Sequence, residues 1–188
     1  MKKVIFVAGN SHGEIRKSAI RMARVVGRLI AKNGNILLTG GTLGVPEEAV
    51  MGAKEKNGET VAISPGVSMK EHLEKYKQSA RSDKYIFTGL GDMGRNIYNI
   101  RSCDAVVIIG GGMGTLTEFC MAYAEGKPIG VLLGTGGITS IIKELINLTK
   151  KKPKAPVFYS DKPGDLINKI SKVFVQLHTR SYVRSSAL

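Results

Sequence analysis

The chain of 188 residues has the length of a single domain built around one hydrophobic core. Its composition, with 43% hydrophobic and 23% charged residues, is that of a globular protein and excludes an intrinsically disordered chain. Lysine and arginine outnumber aspartate and glutamate by 28 to 15, and the resulting net charge of +13 favours anionic partners such as phosphates, nucleotides or nucleic acid.

The apolar runs are too short to cross a membrane. None approaches the roughly 20 apolar residues that a membrane-spanning helix needs. The first run, Val4–Gly9, is also shorter than the apolar region of a signal peptide and is followed by polar residues. We therefore expect a cytoplasmic protein that does not engage a membrane.

Apolar runs alternate with amphipathic runs along the chain, a pattern that predicts alternating strands and helices. The predicted strands are Lys3–Ala8, Asn35–Thr39, Thr60–Ile63, Tyr85–Thr88, Asp104–Ile109, Pro128–Leu133 and Val157–Tyr159. The predicted helices are Arg16–Ala31, Pro46–Asn57, Met93–Ser102, Thr115–Ala124, Ile138–Thr149 and Asp165–His178. Residues 65–80 have mixed polarity and fit either a solvated helix or a loop. The pattern favours an α/β fold of three αβα layers around a mostly parallel sheet of about seven strands.

Residues 1–178 are expected to form this single domain, because no linker or internal repeat interrupts the alternation. Residues 179–188 show no clear pattern and are expected to form a flexible tail. The basic cluster Lys150–Lys154 lies between a predicted helix and a predicted strand, where a solvated turn accounts for it.

Three glycine-rich loops follow predicted strands, where parallel α/β sheets bind their ligands. Glycine permits a positive φ and lets a phosphate approach the backbone closely, and the helix N-terminus that follows attracts anions. The loops predict a site for a phosphorylated, nucleotide-like ligand, although glycines also serve simply to make tight turns. The candidate ligand-binding residues in these loops are Gly9, Asn10, Ser11, Gly40, Gly41, Gly110, Gly111, Gly112, Met113, Gly114 and Thr115.

Two common nucleotide-binding motifs are missing from the sequence. There is no GxxxxGK[ST] motif, which excludes a P-loop NTPase. The first loop does not read GxGxxG, and the second strand ends in Thr39-Gly40-Gly41, where a dinucleotide-binding domain has an acidic residue for the ribose. A hydride-transfer enzyme of the ordinary type is therefore unexpected.

The segment from Gly111 to Glu118, GGMGTLTE, resembles the GGxGTxxE signature of the LONELY GUY (LOG) family, once labelled lysine decarboxylases. Arg95 and Asn96 resemble that family's RK pair upstream, and the similarity runs from about Lys3 to Leu133. The wider superfamily is Rossmann-like and includes nucleotide phosphoribohydrolases, molybdenum cofactor carrier proteins and the DNA-processing DprA proteins.

The resemblance implies roles for three residues and a homo-oligomeric assembly. Glu118 would act as the catalytic carboxylate in hydrolysis of the N-glycosidic bond of a nucleoside 5′-monophosphate. Arg95 would be its catalytic partner and fix the phosphate or the sugar, with Asn96 beside the ligand. No metal or other cofactor is required by this scheme. His12, His72 and His178 are separated in sequence and are expected to be ordinary surface or loop residues.

Departures from the signature keep a second interpretation open. The phosphoribohydrolases usually have proline at Gly110, lysine at Asn96 and a second acidic residue at Thr117. The triple glycine together with Arg95-Asn96 is more similar to the carriers, which implies a non-catalytic protein with molybdenum cofactor, or a similar compound, as its bound ligand. A third interpretation, a DprA-like DNA-binding protein, rests on the net charge.

Glu118 also has a purely structural interpretation. The run from Thr115 to Glu118 matches a capping box, in which the two side chains satisfy free N–H groups at the start of a helix. From sequence alone, the catalytic and the capping roles of Glu118 are equally compatible with the pattern.

Overall fold

The computed structural model describes the backbone of residues 1–185 and the side chains of residues 1–176. The strands are β1 (Val4–Gly9), β2 (Ile36–Thr39), β3 (Thr60–Ser64), β4 (Lys84–Phe87), β5 (Ala105–Ile109), β6 (Ile129–Leu132) and β7 (Val157–Ser160). The helices are α1 (Lys17–Lys32), α2 (Val45–Lys54), α3 (Met69–Glu74), α4 (Gly91–Arg101), α5 (Met113–Glu125), α6 (Ile142–Thr149) and α7 (Pro163–Ser185). A short 3₁₀ turn, Gly137–Ser140, precedes α6.

The seven strands form one parallel sheet in the order β4-β3-β2-β1-β5-β6-β7. In the central pairings, Phe6 of β1 lies opposite Leu38 of β2 and Val106 of β5. From β1 the chain adds β2, β3 and β4 in turn on one side. It then crosses back to place β5 on the other side of β1, followed by β6 and β7. The gap between β1 and β5 is therefore the topological switch point, where such sheets bind ligands. This arrangement confirms the predicted Rossmann-like α/β fold.

Two hydrophobic layers cover the sheet because successive strand residues point to opposite faces. Ile5 and Val7 of β1 pack with α1, α2 and α7 on one face. Phe6 and Ala8 pack with α4, α5 and α6 on the other face. All five residues of β5 are buried, which explains why this strand reads as an unbroken apolar run.

Helices α1 and α2 approach each other closely at two glycines. A Cβ at Gly27 would collide with the backbone carbonyl of Ala49, and a Cβ at Gly52 would collide with that of Arg24. Both glycines therefore serve packing between helices. Within residues 1–185, the helices lack the combination of length and apolar character needed to cross a membrane.

Several helix boundaries differ from the predicted ones, among them the end of α2, which lies at Lys54 and not at Asn57. Helix α5 begins at Met113, two residues before the predicted start, and the predicted helix at Ile138 is a 3₁₀ turn followed by α6. The ambiguous segment 65–80 contains the short helix α3, capped by Ser68. Helix α7 extends to Ser185, beyond the predicted end at His178, and residues 186–188 of the expected tail lie outside the described residues.

Candidate functional site

A cavity of about 310 Å³ lies at the carboxyl ends of β2, β1 and β5, across the switch point. This is where the glycine loops were expected to meet. The predicted residues that line it are Gly9, Asn10, Ser11, Gly40, Arg95, Asn96, Gly112, Gly114, Thr115 and Glu118. Four other predicted residues, Gly41, Gly110, Gly111 and Met113, are not among the residues that line it.

Gly110 and Gly111 set the conformation of the loop after β5 without lining the cavity. Both have a positive φ, 60° and 96°, which glycine adopts without strain. The N–H of Gly110 donates to Thr135 Oγ1 at 2.8 Å, and the N–H of Gly111 donates to Asn10 Oδ1. These bonds fix the loop before any ligand arrives, so Asn10 organises the site as well as lining it.

The start of α5 offers unpaired N–H groups to the cavity. Gly112 is the N-cap residue and no side chain caps the helix, so the first N–H groups lack intrahelical acceptors. A Cβ at Gly112 or at Gly114 would meet no atom within 4 Å, so both glycines face open space. The helix dipole adds positive potential there, and the segment suits a phosphate group. We call Gly110–Thr115 the glycine cradle.

The capping-box interpretation of Glu118 is not supported by the structure. Because α5 begins at Met113, Thr115 lies inside the first turn and is not the N-cap. Glu118 lies three residues further along, in the second turn of the helix. Its Oε1 accepts a hydrogen bond from Asn99 Nδ2 of α4 at 3.2 Å. Glu118 therefore belongs to the cavity and does not cap the helix.

Burial changes the acidity of Glu118. The side chain is only 8% exposed, and burial raises its pKa to about 7 although the positive charge of Arg95 acts to lower it. At neutral pH the carboxyl group can therefore either hold or release a proton. The amide of the fully buried Asn99 suits both forms, because it can donate to a carboxylate or accept from a carboxylic acid.

Arg95 is buried beneath the glycine loop that follows β2, residues Gly40–Gly44. Its Nη1 donates to the carbonyl oxygens of Gly40 and, at 3.2 Å, of Ile63, and its Nη2 lies 3.6 Å from Asp92 Oδ1. A Cβ at Gly40 would lie 2.6 Å from Nη1, so this glycine makes room for the guanidinium. Burial lowers the pKa of Arg95. Only Nη1 donates to the backbone, and the buried Nε has no hydrogen-bond partner among the described residues. Arg95 therefore shapes the cavity and contributes positive charge to it.

His72 differs from the expectation of a surface or loop residue. It lies on α3, is fully buried, and contacts Ser64 Oγ through Nδ1 at 2.9 Å and the carbonyl oxygen of Ser79 through Nε2 at 3.0 Å. A Cβ at Gly41 would lie 2.8 Å from the His72 ring. Gly41 therefore admits His72 beneath the loop and does not face the ligand.

Several residues of the site were not predicted from the sequence. Asn99 supports Glu118 from a neighbouring helix. Gln78 lines the cavity from a segment that carries no recognisable motif, and Thr42 lines it from the glycine loop after β2, where only the glycines were predicted. His12 is exposed at the rim, where its Nδ1 lies 2.9 Å from Ser11 Oγ. Among the described residues, no cluster of three or more histidine, cysteine, aspartate or glutamate side chains could hold a metal ion.

Comparisons with known proteins agree with this geometry. A family model described as the SLOG cluster4 family matches residues 2–167. The molybdenum cofactor binding protein of Rippkaea orientalis is 32% identical, with a TM-score of 0.78 over 93% of this chain and 98% of that one. The molybdenum cofactor carrier protein of Chlamydomonas reinhardtii is 31% identical, with a TM-score of 0.76 over 93% and 99%.

A more distant structure is similar in fold alone. DNA processing protein A of Helicobacter pylori, which binds single-stranded DNA, is 21% identical, with a TM-score of 0.62 over 90% of this chain and 80% of that one. The family match covers most of the chain, and the structures at about 30% identity cover nearly all of it. The chain therefore belongs to the SLOG cluster4 family, within the LOG and molybdenum cofactor carrier-like superfamily that the glycine motif indicated.

Proposed function

We propose that the protein binds a phosphorylated small molecule, with molybdenum cofactor or a related compound as the leading candidate, and acts as its carrier. The observation that carries this proposal is the glycine cradle, where the uncapped N-terminus of α5 and the open faces of Gly112 and Gly114 meet in the cavity. The similarity to two proteins named for molybdenum cofactor supports the choice of ligand.

Hydrolysis of a nucleoside 5′-monophosphate is the second candidate, favoured by Glu118. A buried carboxyl group with a pKa near 7 can take a proton from water at neutral pH. Water would then add to the sugar carbon while the N-glycosidic bond breaks. The leaving base would take up a proton from solvent, and Glu118 would return the proton it took to solvent. The negative charge of Glu118 would stabilise the oxocarbenium-like transition state. Arg95 would supply the positive charge that orients the phosphorylated sugar.

DNA binding remains the third candidate and rests on the net charge of +13. The similarity to DNA processing protein A concerns the fold and adds no argument about the site. The cavity, by contrast, has the size and the glycine content that suit a small phosphorylated ligand.

We also propose a homo-oligomer, as in the expectation from the family resemblance. Large apolar side chains are exposed on the two helices that contribute Arg95 and Glu118 to the cavity, among them Met93 and Tyr98 of α4 and Met113 of α5. Covering such a surface with a second copy would remove it from water. Light scattering should give a multiple of 20.2 kDa at micromolar concentration, and a mass of one chain would contradict the proposal.

The carrier and the hydrolase predict different results in one experiment. Calorimetric titration of the purified protein with molybdenum cofactor, nucleoside 5′-monophosphates and ribose 5-phosphate would measure binding, and chromatography of the same samples would measure free base. We expect binding without release of base. Turnover of a monophosphate would assign the hydrolase, and failure to bind any of the probes would contradict both functions.

A further inference from the structure

The cavity has a second end, away from the glycine cradle. The cradle follows β5, whereas the segment after α3 approaches the loop that follows β2, where Ser79 N–H donates to the carbonyl oxygen of Gly41 at 2.8 Å. Strand β1 lies between β2 and β5. Two strand spacings place these ends about 10 Å apart. A ligand whose phosphate lies in the cradle can therefore extend another chemical group toward the segment after α3.

Gln78 lies in that segment and lines the cavity. Its backbone N–H donates to the carbonyl oxygen of His72 at 3.0 Å. The next residue, Ser79, is held by its bond to Gly41 and by two donors to its carbonyl oxygen, His72 Nε2 at 3.0 Å and the Tyr85 hydroxyl at 2.8 Å. Hydrogen bonds at Gln78 and at Ser79 therefore fix the backbone that carries the Gln78 side chain.

The side chain of Gln78 has an unmet hydrogen-bonding requirement. Gln78 is 9% exposed, and its Oε1 is buried with no hydrogen-bond partner among the described residues. A buried amide oxygen without a donor is unfavourable in the free protein. Since the residue lines the cavity and its backbone is fixed, rotation of the side chain would bring this oxygen to a ligand there, which can supply the missing donor.

We propose that Gln78 hydrogen-bonds the heterocyclic end of the ligand and selects for it. The inference rests on the proposed binding of a phosphorylated molecule in the cradle and adds the chemistry of its other end. A glutamine amide both donates and accepts, so it complements a heterocycle whose edge presents an N–H donor beside an acceptor. Purines and pterins share such an edge, whereas ribose 5-phosphate has no heterocycle at all.

The variant Gln78→Met tests this contact because methionine has a similar size but cannot replace the amide. Titrations use guanosine 5′-monophosphate, a phosphorylated pterin and ribose 5-phosphate. We expect the variant to bind at least one heterocyclic probe about tenfold more weakly, the loss of one good hydrogen bond, and to bind ribose 5-phosphate as the wild type does. The heterocyclic probe for which the variant loses more affinity identifies the preferred ligand class.

The matched control is Gln176→Met, which changes the chain's other glutamine at an exposed position on α7. It should leave all three affinities unchanged. Unchanged binding of both heterocyclic probes by Gln78→Met, or an equal loss for ribose 5-phosphate, would overturn the role of Gln78. Either result leaves the proposed function standing if the wild type binds ribose 5-phosphate, while a wild type that binds none of the probes would overturn both proposals.

Discussion

Replacing Gly114 by valine is expected to weaken binding of any phosphorylated ligand by about a hundredfold or more. The glycine lies in the first turn of α5, lines the cavity, and has open space where a side chain would project. Valine would fill the space that the phosphate needs and keep it from the N–H groups of the helix. Calorimetric titration with ribose 5-phosphate and with the preferred ligand would measure the loss.

Gly164 provides the control for this substitution. It lies in the first turn of α7, far along the chain from the cradle, and a Cβ there would also meet no atom within 4 Å. Gly164→Val therefore makes the same chemical change in the same kind of helical position and should leave affinity unaltered. Equal affinity of Gly114→Val and wild type, with both variants folded, would exclude the cradle as the phosphate site.

Replacing Glu118 by glutamine is expected to make the stability of the protein less sensitive to a rise in pH from about 4.5 to 7. The carboxyl group has an ordinary pKa of 4.5, and burial raises it to about 7 in the folded protein. Between these values the folded state binds more protons than the unfolded state, so this group makes stability fall as the pH rises from about 4.5 to 7. Glutamine cannot ionise and avoids that loss.

The free energy of unfolding of Glu118→Gln minus that of the wild type should increase by about 3 kcal/mol from pH 4 to pH 8. Chemical denaturation of both proteins at several pH values would measure the difference. A constant difference across this range would contradict the raised pKa.

If the wild type hydrolyses a monophosphate, turnover by Glu118→Gln should be about a hundredfold or more slower while the substrate still binds, because the amide cannot act as a base.

The centre of the sheet was predictable because its strands are buried on both faces. Strand β5 is the clearest case: its five apolar residues were predicted within one residue of the observed ends. The loops after β1, β2 and β5 were predictable for a related reason, since glycines after buried strands signal a close backbone approach. The position of the cavity followed from these two features.

The start of α5 was predicted too late because Gly112, Met113 and Gly114 resemble a loop. Glycine has low helix propensity, yet Met113 and Gly114 form the first turn of α5 with Gly112 as its N-cap. The error also created the apparent capping box at Glu118. Local sequence could not show that Asn99, a residue of another helix, is the partner of Glu118.

Burial of His72 and the position of Gln78 depend on contacts between distant segments. Helix α3 has only six residues, too few to display an amphipathic period, so its buried face was not recognisable. The contacts of His72 with Ser64 and Ser79 form only when the helix packs under the loop after β2. These residues are visible as site components only in the folded chain.

A crystal structure with bound ribose 5-phosphate would show whether the glycine cradle holds a phosphate. We predict phosphate oxygens within hydrogen-bonding distance of the N–H groups at the start of α5, beside Gly112 and Gly114, with the sugar directed toward Glu118. A phosphate bound only at the basic cluster Lys150–Lys154, with the cradle filled by solvent, would show that the cradle is not the phosphate site.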